Sequence, residues 1–146
     1  MTFRYQPLRK DKCEIRLLEI LLGKDYGRVS FQLHNFILDD APPFRAISYV
    51  WGDGGRTAEI YVNNKRFYIT CSLFRVLKDY TTITRQIIKR PKEFDQVYQI
   101  RYLWVDAICI NQNDLNERAQ QVMLMGQIYR RGKVGVFIDM EESVAA

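Results

Sequence analysis

Ten residues in the last third of the chain, Leu103 to Gln112, constrain its fold more than any other segment. They form an almost unbroken apolar run that contains one acid, Asp106, and ends in two carboxamides, Asn111 and Gln112. Such a run, apolar on both faces, is typical of a strand buried in a parallel sheet that helices cover on both sides. We therefore predict an α/β fold in which residues 103–110 form a central strand.

Asp106 is costly in such an environment, because a buried carboxylate needs a charged or hydrogen-bonding partner. Asn111 and Gln112 follow at the carboxyl end of the predicted strand, which is the end where open α/β sheets bind ligands. Two interpretations of Asp106 remain open. It either acts on a ligand at this edge, or it is a buried acid held by backbone N–H groups or by an arginine.

The composition indicates one soluble domain. The chain has 146 residues, of which 47% are hydrophobic and 27% are charged, as is usual for a domain with a real core. Arg or Lys interrupts each apolar run before it reaches the length of a membrane span, and the N-terminus has no secretory apolar core. We therefore expect a cytoplasmic protein without a membrane partner.

The few cysteines and the single histidine argue against metal and triad chemistry. Cys13, Cys71 and Cys109 are odd in number and far apart, so they indicate neither a disulfide framework nor a zinc ribbon. Cys109 is predicted to be a small buried side chain. His34 lies on the polar side of an alternating strand, where a surface histidine is expected. No metal site is predicted, and neither zinc chemistry nor a Ser-His-Asp hydrolase is expected.

The net charge of +5 comes from basic residues that collect in three groups. We interpret them as solvated surface, and the last group suits the negative end of a helix dipole. Nucleic-acid binding is the least favoured hypothesis, because it would need all three groups on one face and no reader motif accompanies them. The groups are Arg9, Lys10 and Lys12; Arg85, Lys89, Arg90 and Lys92; and Arg130, Arg131 and Lys133.

Alternation and turn signals predict mainly strands in the first half of the chain. Residues 52–56 are rich in glycine, but a phosphate-loop interpretation fails because no helix is predicted after them. Asn63 and Asn64 suit a tight hairpin turn. Residues 81–101 are expected to be helical with a break at Pro91. The predicted strands are 14–22, 29–36, 44–51, 58–62, 66–69, 103–110 and 134–138, and the helices begin after a cap at Thr70 or Ser72 and after Asp114.

The helix predicted from Asp114 to Arg131, which Gly132 ends, has two different faces. The face predicted to contact the core consists of Leu115, Ala119, Val122, Gly126 and Tyr129. The opposite face consists of Glu117, Gln121, Leu124 and Ile128. Two interpretations of Glu117 remain open, since it either lies near an opening between two layers or simply occupies the first turn, where the dipole favours an acid.

Three ordered segments resemble the fungal heterokaryon incompatibility (HET) domain. Residues 44–52 (FRAISYVWG) resemble its opening motif, and residues 68–77 resemble its second block. Residues 103–112, with the helix that follows, resemble its third and most specific block. The resemblance covers almost the whole chain and implies a single HET-like domain over residues 1–146. Within it, residues 1–43 would form an N-terminal hairpin and loop, residues 44–139 the core motifs, and residues 140–146 a short tail of the kind that a truncated domain would have.

The resemblance implies a role in fungal non-self recognition. HET domains trigger programmed cell death when activated, and the family is thought to be distantly similar to Toll/interleukin-1-receptor (TIR) domains. This similarity implies a flavodoxin-like, partly parallel sheet flanked by helices. It also implies a signalling or effector module that associates with itself or with a partner signalling protein.

Some TIR domains hydrolyse NAD with a glutamate, so the resemblance also implies, by analogy, an alternative hypothesis of nucleotide glycohydrolysis. NAD or a related nucleotide would then be the ligand or substrate, and no cofactor would be required. Such a reaction needs a carboxylate to stabilise positive charge, an aromatic ring and amides. The candidate catalytic residues are Glu117 and Asp106. The candidate ligand-binding residues are Trp51, Asp53, Asn111, Gln112 and Gln121.

Overall fold

The computed structural model describes residues 3–23, 28–48, 55–90, 92, 100–132 and 135–136. These residues form a mixed sheet with flanking helices, so the predicted α/β class with N-terminal antiparallel strands is confirmed. The strands are β1 (Glu14–Leu21), β2 (Ser30–Ile37), β3 (Phe44–Ser48), β4 (Thr57–Val62), β5 (Lys65–Thr70), β6 (Tyr102–Trp104) and β7 (Gly135–Val136). The helices are α1 (Cys71–Lys89), α2 (Asp106–Cys109) and α3 (Leu115–Arg131).

The first strand of the chain lies in the interior of the sheet. The described strands are ordered β5-β4-β2-β1-β6-β3-β7. β1 runs antiparallel to both of its neighbours, β2 and β6, while β3 runs parallel to β6 and β7. Ile15, Leu17, Leu18 and Ile20 are completely buried because β1 has neighbours on both edges and packing on both faces. The predicted hairpin of β1 and β2 is confirmed.

A second hairpin joins β4 and β5, as predicted. Asn63 and Asn64 form its turn with φ values of 52° and 62°, a left-handed conformation that asparagine tolerates better than most residues. The Asn63 side chain also accepts a hydrogen bond from the backbone N–H of Leu33, which ties the turn to β2. A strand beginning at Thr57, and not a helix, follows the glycine-rich segment, as predicted.

The predicted strand over residues 103–110 is wrong in its length and partly wrong in its environment. β6 ends at Trp104, and the chain enters a single helical turn at Asp106. Val105, Ile108 and Cys109 are still fully buried, because a spacing of three and four residues places them on one side of a helical turn. A short apolar run fits either structure, which is why periodicity did not separate them. The sheet around β6 is also mixed and not wholly parallel.

Local signals place the start of both long helices correctly. The Thr70 hydroxyl accepts a hydrogen bond from the backbone N–H of Leu73 at the start of α1. The Asp114 carboxylate accepts a hydrogen bond from the backbone N–H of Glu117 at the start of α3. α1 continues to Lys89, so the helical prediction is confirmed up to that residue, while Pro91 lies outside the described residues. No helix in the described part of the chain has the length and hydrophobicity that crossing a membrane requires.

The face that α3 turns towards the core is the opposite of the predicted one, except at Tyr129, which packs against the core as predicted. Leu115 and Val122 are 73% and 58% exposed, whereas Glu117, Gln121 and Ile128 are buried. The prediction was wrong because it assigned burial by polarity within the helix alone. Buried groups on β1 bind Glu117 and Gln121, and these contacts make the more polar face the inner one.

Gly132 ends α3, as predicted, but for a different reason. Its φ is −73°, so it does not adopt the left-handed conformation of a usual glycine cap. A Cβ atom at this position would lie 2.6 Å from the Phe44 ring and 2.9 Å from the Ala46 Cβ. Glycine is therefore required for the close approach of the helix end to β3. Of the predicted last strand, residues 135 and 136 pair with β3, and the others lie outside the described residues.

Candidate functional site

The turn between α2 and α3 brings most of the predicted site residues together. We call residues 105–117 the α2–α3 corner. Within it, the Gln112 side-chain amide donates to the Asp106 carbonyl at 2.8 Å. The Asn113 backbone N–H donates to the Asn111 side chain at 3.2 Å. The Asn111 backbone N–H donates to the Glu117 carboxylate. Trp51 and Asp53, two more of the predicted ligand-binding residues, lie outside the described residues.

The strongest contact of the corner is a buried ion pair between Glu117 and Arg16. The two terminal guanidinium nitrogens of Arg16 donate to the two Glu117 carboxylate oxygens at 2.6 and 2.8 Å. Their side chains are 1% and 8% exposed. Arg16 also donates to the carbonyls of Cys109 and Gln6. This bidentate geometry satisfies both charges in a place where an unpaired one would be strongly destabilising.

The N-terminal segment covers the same ion pair. The Arg16 guanidinium lies 4.6 Å from the centre of the Tyr5 ring, within the range of a cation–π contact. The Tyr5 hydroxyl donates to the Ile108 carbonyl at 2.7 Å. Burial raises the pKa of Tyr5, so the phenol stays protonated and continues to donate at neutral pH. Residues far apart in sequence thus hold the corner in one position.

Gln121 extends the contact between α3 and β1 by one helical turn. Its side-chain amide donates to the Glu14 carbonyl at 2.9 Å. Gln121 is almost completely buried, and its side-chain oxygen accepts no hydrogen bond from any described residue. Both polar residues on the inner face of α3 therefore bind β1, which explains the orientation of the helix.

Asp106 occupies a different environment from Glu117. It is half-buried, and desolvation raises the pKa of its carboxyl, while the N–H groups of Ala107 and of Asp106 itself act in the opposite direction. Desolvation first, and then the charge of Asp106, raises the pKa of the Tyr129 phenol. The Tyr129 ring packs edge-on against Trp104 with centroids 5.6 Å apart. Asp106 is thus a half-buried acid at the first residue of α2.

Sequence reasoning missed Arg16 and Tyr5. A signal for Arg16 was present, because a charged residue among the apolar residues of β1 needs a partner for the same reason as Asp106 does. Nothing in the sequence marked Tyr5. His34, in contrast, lies where it was expected, partly exposed and 2.9 Å from the Glu19 carboxylate. Among the described residues, no group of three or more His, Cys, Asp or Glu side chains is arranged to hold a metal ion.

A cleft of about 630 Å³ opens beside the corner. The N-terminal segment, β5 and the corner form its walls, so three parts of the chain meet there. The side chains that line it are aromatic, basic or carboxamide, with one alanine. They belong to Phe3, Arg4, Tyr5, Arg66, Phe67, Tyr68, Ala107, Asn111, Gln112 and Asn113.

Comparison with known proteins decides the family. A family model described as heterokaryon incompatibility protein (HET) matches residues 44–145, which is more than half of the chain. The chain belongs to the HET family. The family match begins at β3 and includes the α2–α3 corner of this HET domain, whereas Tyr5 and Arg16 precede it.

One relative of the HET domain gives the same result. The chain is 39% identical over 92 residues to "Heterokaryon incompatibility protein 6, OR allele" of Neurospora crassa. That match covers 60% of this chain and 13% of the relative. The HET domain described above therefore corresponds to a small part of the relative's length. No solved structure shows a significant match to the chain.

Proposed function

We propose that this HET domain is a signalling or effector module in fungal non-self recognition and programmed cell death. It acts in the cytoplasm, and it works by binding a partner protein through the outer face of α3. Family membership supports the pathway. The exposed apolar side chains of α3 support the mode of action, and they are the observation that carries this proposal.

The outer face of α3 carries an apolar stripe. Leu115, Val122 and Met123 are 73%, 58% and 83% exposed. Ala119, between Leu115 and Val122, and Gly126, after Met123, are also exposed. Large apolar side chains grouped on one exposed helix face commonly form protein–protein contacts. The two small residues would let a partner approach the helix backbone closely.

Charge indicates what kind of partner fits this face. Arg118 lies beside the stripe, Arg130 follows it one turn after Gly126, and neither forms an ion pair within the described part of the chain. The single acid of α3 is Glu117, whose carboxylate is bound to Arg16 inside the protein. The face therefore fits a partner surface that combines apolar side chains with Asp or Glu. A second copy of this chain would instead bring arginines towards arginines unless its helix were offset.

Acidic substitutions on this face test the proposal. Val122→Asp and Met123→Asp place a charge on the proposed contact, whereas Ile88→Asp places the same charge on an apolar side chain of α1 that is 48% exposed. The full chain would be expressed in a filamentous fungus, and cell death would be measured at equal protein levels. We expect both α3 variants to abolish cell death and Ile88→Asp to preserve it. Equal death from all variants, or no death from the unmodified chain, would contradict the proposal.

NAD-type nucleotide cleavage is a second hypothesis, and the environment of Asp106 is the observation that favours it. A half-buried acid with a raised pKa is a common feature of catalytic sites. Glu117 is a weaker candidate, because its carboxylate binds Arg16 and the Asn111 N–H. Incubation with NAD should release nicotinamide, and Asp106→Asn should prevent the release. No release from the folded protein, or equal release from the variant, would reject this hypothesis.

A further inference from the structure

The cleft beside the α2–α3 corner combines three kinds of side chain that together recognise one class of ligand. We propose that it binds a nucleoside phosphate, with the base against aromatic rings and carboxamides and the phosphate on arginines. This inference does not depend on the incompatibility role, because it is drawn from the lining of the cleft alone.

The aromatic part of the cleft is built around a fixed cluster. The rings of Phe3, Tyr5 and Phe67 contact one another edge-on, with centroids 4.9, 5.3 and 6.4 Å apart. Tyr68, the next residue on β5, is 60% exposed. β5 is the outer strand of the described sheet, so side chains from both of its faces reach the cleft. The interlocked rings form a rigid wall, and the exposed Tyr68 ring is available to stack on a planar base.

The charge of the cleft is positive. Arg4 and Arg66 are its two charged lining residues, and no lining residue is an acid. Within the described residues Arg4 forms no ion pair. Arg66 has a loose contact of 3.8 Å with the exposed carboxylate of Glu59. A guanidinium group can donate two parallel hydrogen bonds to phosphate oxygens. An exposed, unneutralised Arg4 is therefore suited to bind a phosphate group.

The carboxamides of the corner supply hydrogen-bonding groups for the edge of a base. The Asn111 side-chain oxygen accepts from Asn113, and the Gln112 side-chain nitrogen donates to Asp106. In the described part of the chain, the Asn111 amide nitrogen and the Gln112 amide oxygen therefore remain free as one donor and one acceptor. Their backbone is held by Glu117, as described above. A donor and an acceptor on a fixed loop can discriminate a base by its polar edge.

The volume of the cleft and the combination of its lining side chains restrict the class of ligand that fits. A cleft of about 630 Å³ lies within the range of roughly 300–1,000 Å³ that small-molecule sites occupy. Inorganic phosphate would use the arginines and leave the rings without a function. A nucleoside would use the rings and amides and leave the arginines without one. A nucleoside phosphate uses both.

Binding to the full chain tests this inference with three probes, which are AMP, adenosine and inorganic phosphate. Calorimetry and NMR titration would measure each dissociation constant. We expect AMP to bind at least about tenfold more tightly than either of the other probes. We also expect the side-chain amide signals of Asn111 and Gln112 to shift when AMP is added.

Two exposed residues provide variants that should fold normally, which thermal unfolding would verify. Arg4→Ala should weaken AMP binding at least about tenfold and leave adenosine binding unchanged. Tyr68→Ala should weaken AMP and adenosine alike, by about fivefold or more, since a base–aromatic stack contributes about 1–3 kcal/mol. Arg130→Ala and Ile88→Ala, which change exposed side chains of α3 and α1, are the matched controls and should have no effect.

Three results would overturn the inference. They are the absence of AMP binding at millimolar concentration, equal affinity for AMP and inorganic phosphate, and AMP binding that neither Arg4→Ala nor Tyr68→Ala weakens. These results are independent of the cell-death assay on α3, because the substitutions lie on different parts of the protein.

Discussion

Arg16 and Glu117, 101 residues apart in the sequence, form a bidentate ion pair in the interior of the protein. This pair links the central strand β1 to the first turn of α3. It also gives Glu117 a structural function, since the same carboxylate accepts the Asn111 N–H and so fixes the corner.

Removing one member of this pair should destabilise the protein strongly. Arg16→Met or Glu117→Leu leaves a buried partner without its counter-charge, which costs about 3–5 kcal/mol in comparable cases. Chemical denaturation of each variant would measure this loss.

The double variant Arg16→Met/Glu117→Leu provides the matched control. It buries two apolar side chains and leaves no isolated charge, so it should recover part of the lost stability, though not the hydrogen bond to Asn111. Single variants that unfold like the unmodified protein would show that the pair contributes little. Additive losses in the double variant would show that the two residues are not coupled.

Gly126 inside α3 and Gly132 at its end should respond to alanine in opposite ways. Gly132→Ala places a Cβ atom against Phe44 and the backbone of Ala46, which should cost about 1–3 kcal/mol. Gly126→Ala places the same atom in open space within a helix. That substitution should stabilise the protein by roughly 0.5–1 kcal/mol, because alanine is the better helix former. Thermal unfolding of the two variants measures both effects, and equal melting temperatures would contradict the packing described here.

Asp106 should make the protein less stable as the pH rises. Its folded-state pKa lies above the ordinary value of 3.8, so the folded protein holds this proton more tightly than the unfolded chain does. Below pH 3.8 both states are protonated, and stability is lost as the pH rises from there through the folded-state pKa. Asp106→Asn cannot ionise. The free energy of unfolding of this variant, relative to that of the unmodified protein, should therefore be higher at pH 7 than at pH 3.5.

Denaturant titrations of both proteins at the two pH values test this prediction about Asp106. The comparison uses the difference between variant and unmodified protein at each pH, so contributions from other titrating groups cancel. A difference that is independent of pH, or that changes in the opposite direction, would contradict it.

Cys109 should be unreactive in the folded protein. It is completely buried, and burial raises the pKa of its thiol to about 12, so almost no reactive thiolate is present at neutral pH. Cys13 is exposed. A thiol reagent should modify Cys13 within minutes and Cys109 only after unfolding, as mass spectrometry of peptides would detect. The Cys13→Ser variant should lose the fast modification of the peptide that contains position 13, and rapid labelling of Cys109 in native protein would contradict its burial.

Features with a local cause were predictable from the sequence. Asn63 and Asn64 form the expected turn because few residue types accept a positive φ. Thr70 and Asp114 cap their helices because their side-chain oxygens satisfy N–H groups that the first turn leaves free. Cys109 was correctly predicted to be buried.

Features that depend on distant partners were not predictable in the same way. The inner face of α3 is set by contacts of Glu117 and Gln121 with β1, and no pattern within the helix contains them. The end of β6 at Trp104 depends on the pairing of strands, since the apolar run itself continues. The cleft likewise requires Phe3, Tyr68 and Asn111 to come together from three separate segments, so composition could supply the chemistry but not the location.

The position of β1 restricts how the sequence of this protein can change during evolution. The family match begins at residue 44, yet the strand at the centre of the sheet precedes that boundary. A gene rearrangement that kept residues 44–145 and replaced the preceding segment would leave the inner edge of β6 unpaired and Glu117 without a counter-ion. Natural variation at Glu117 should consequently be accompanied by compensating change at position 16, outside the region by which such domains are recognised.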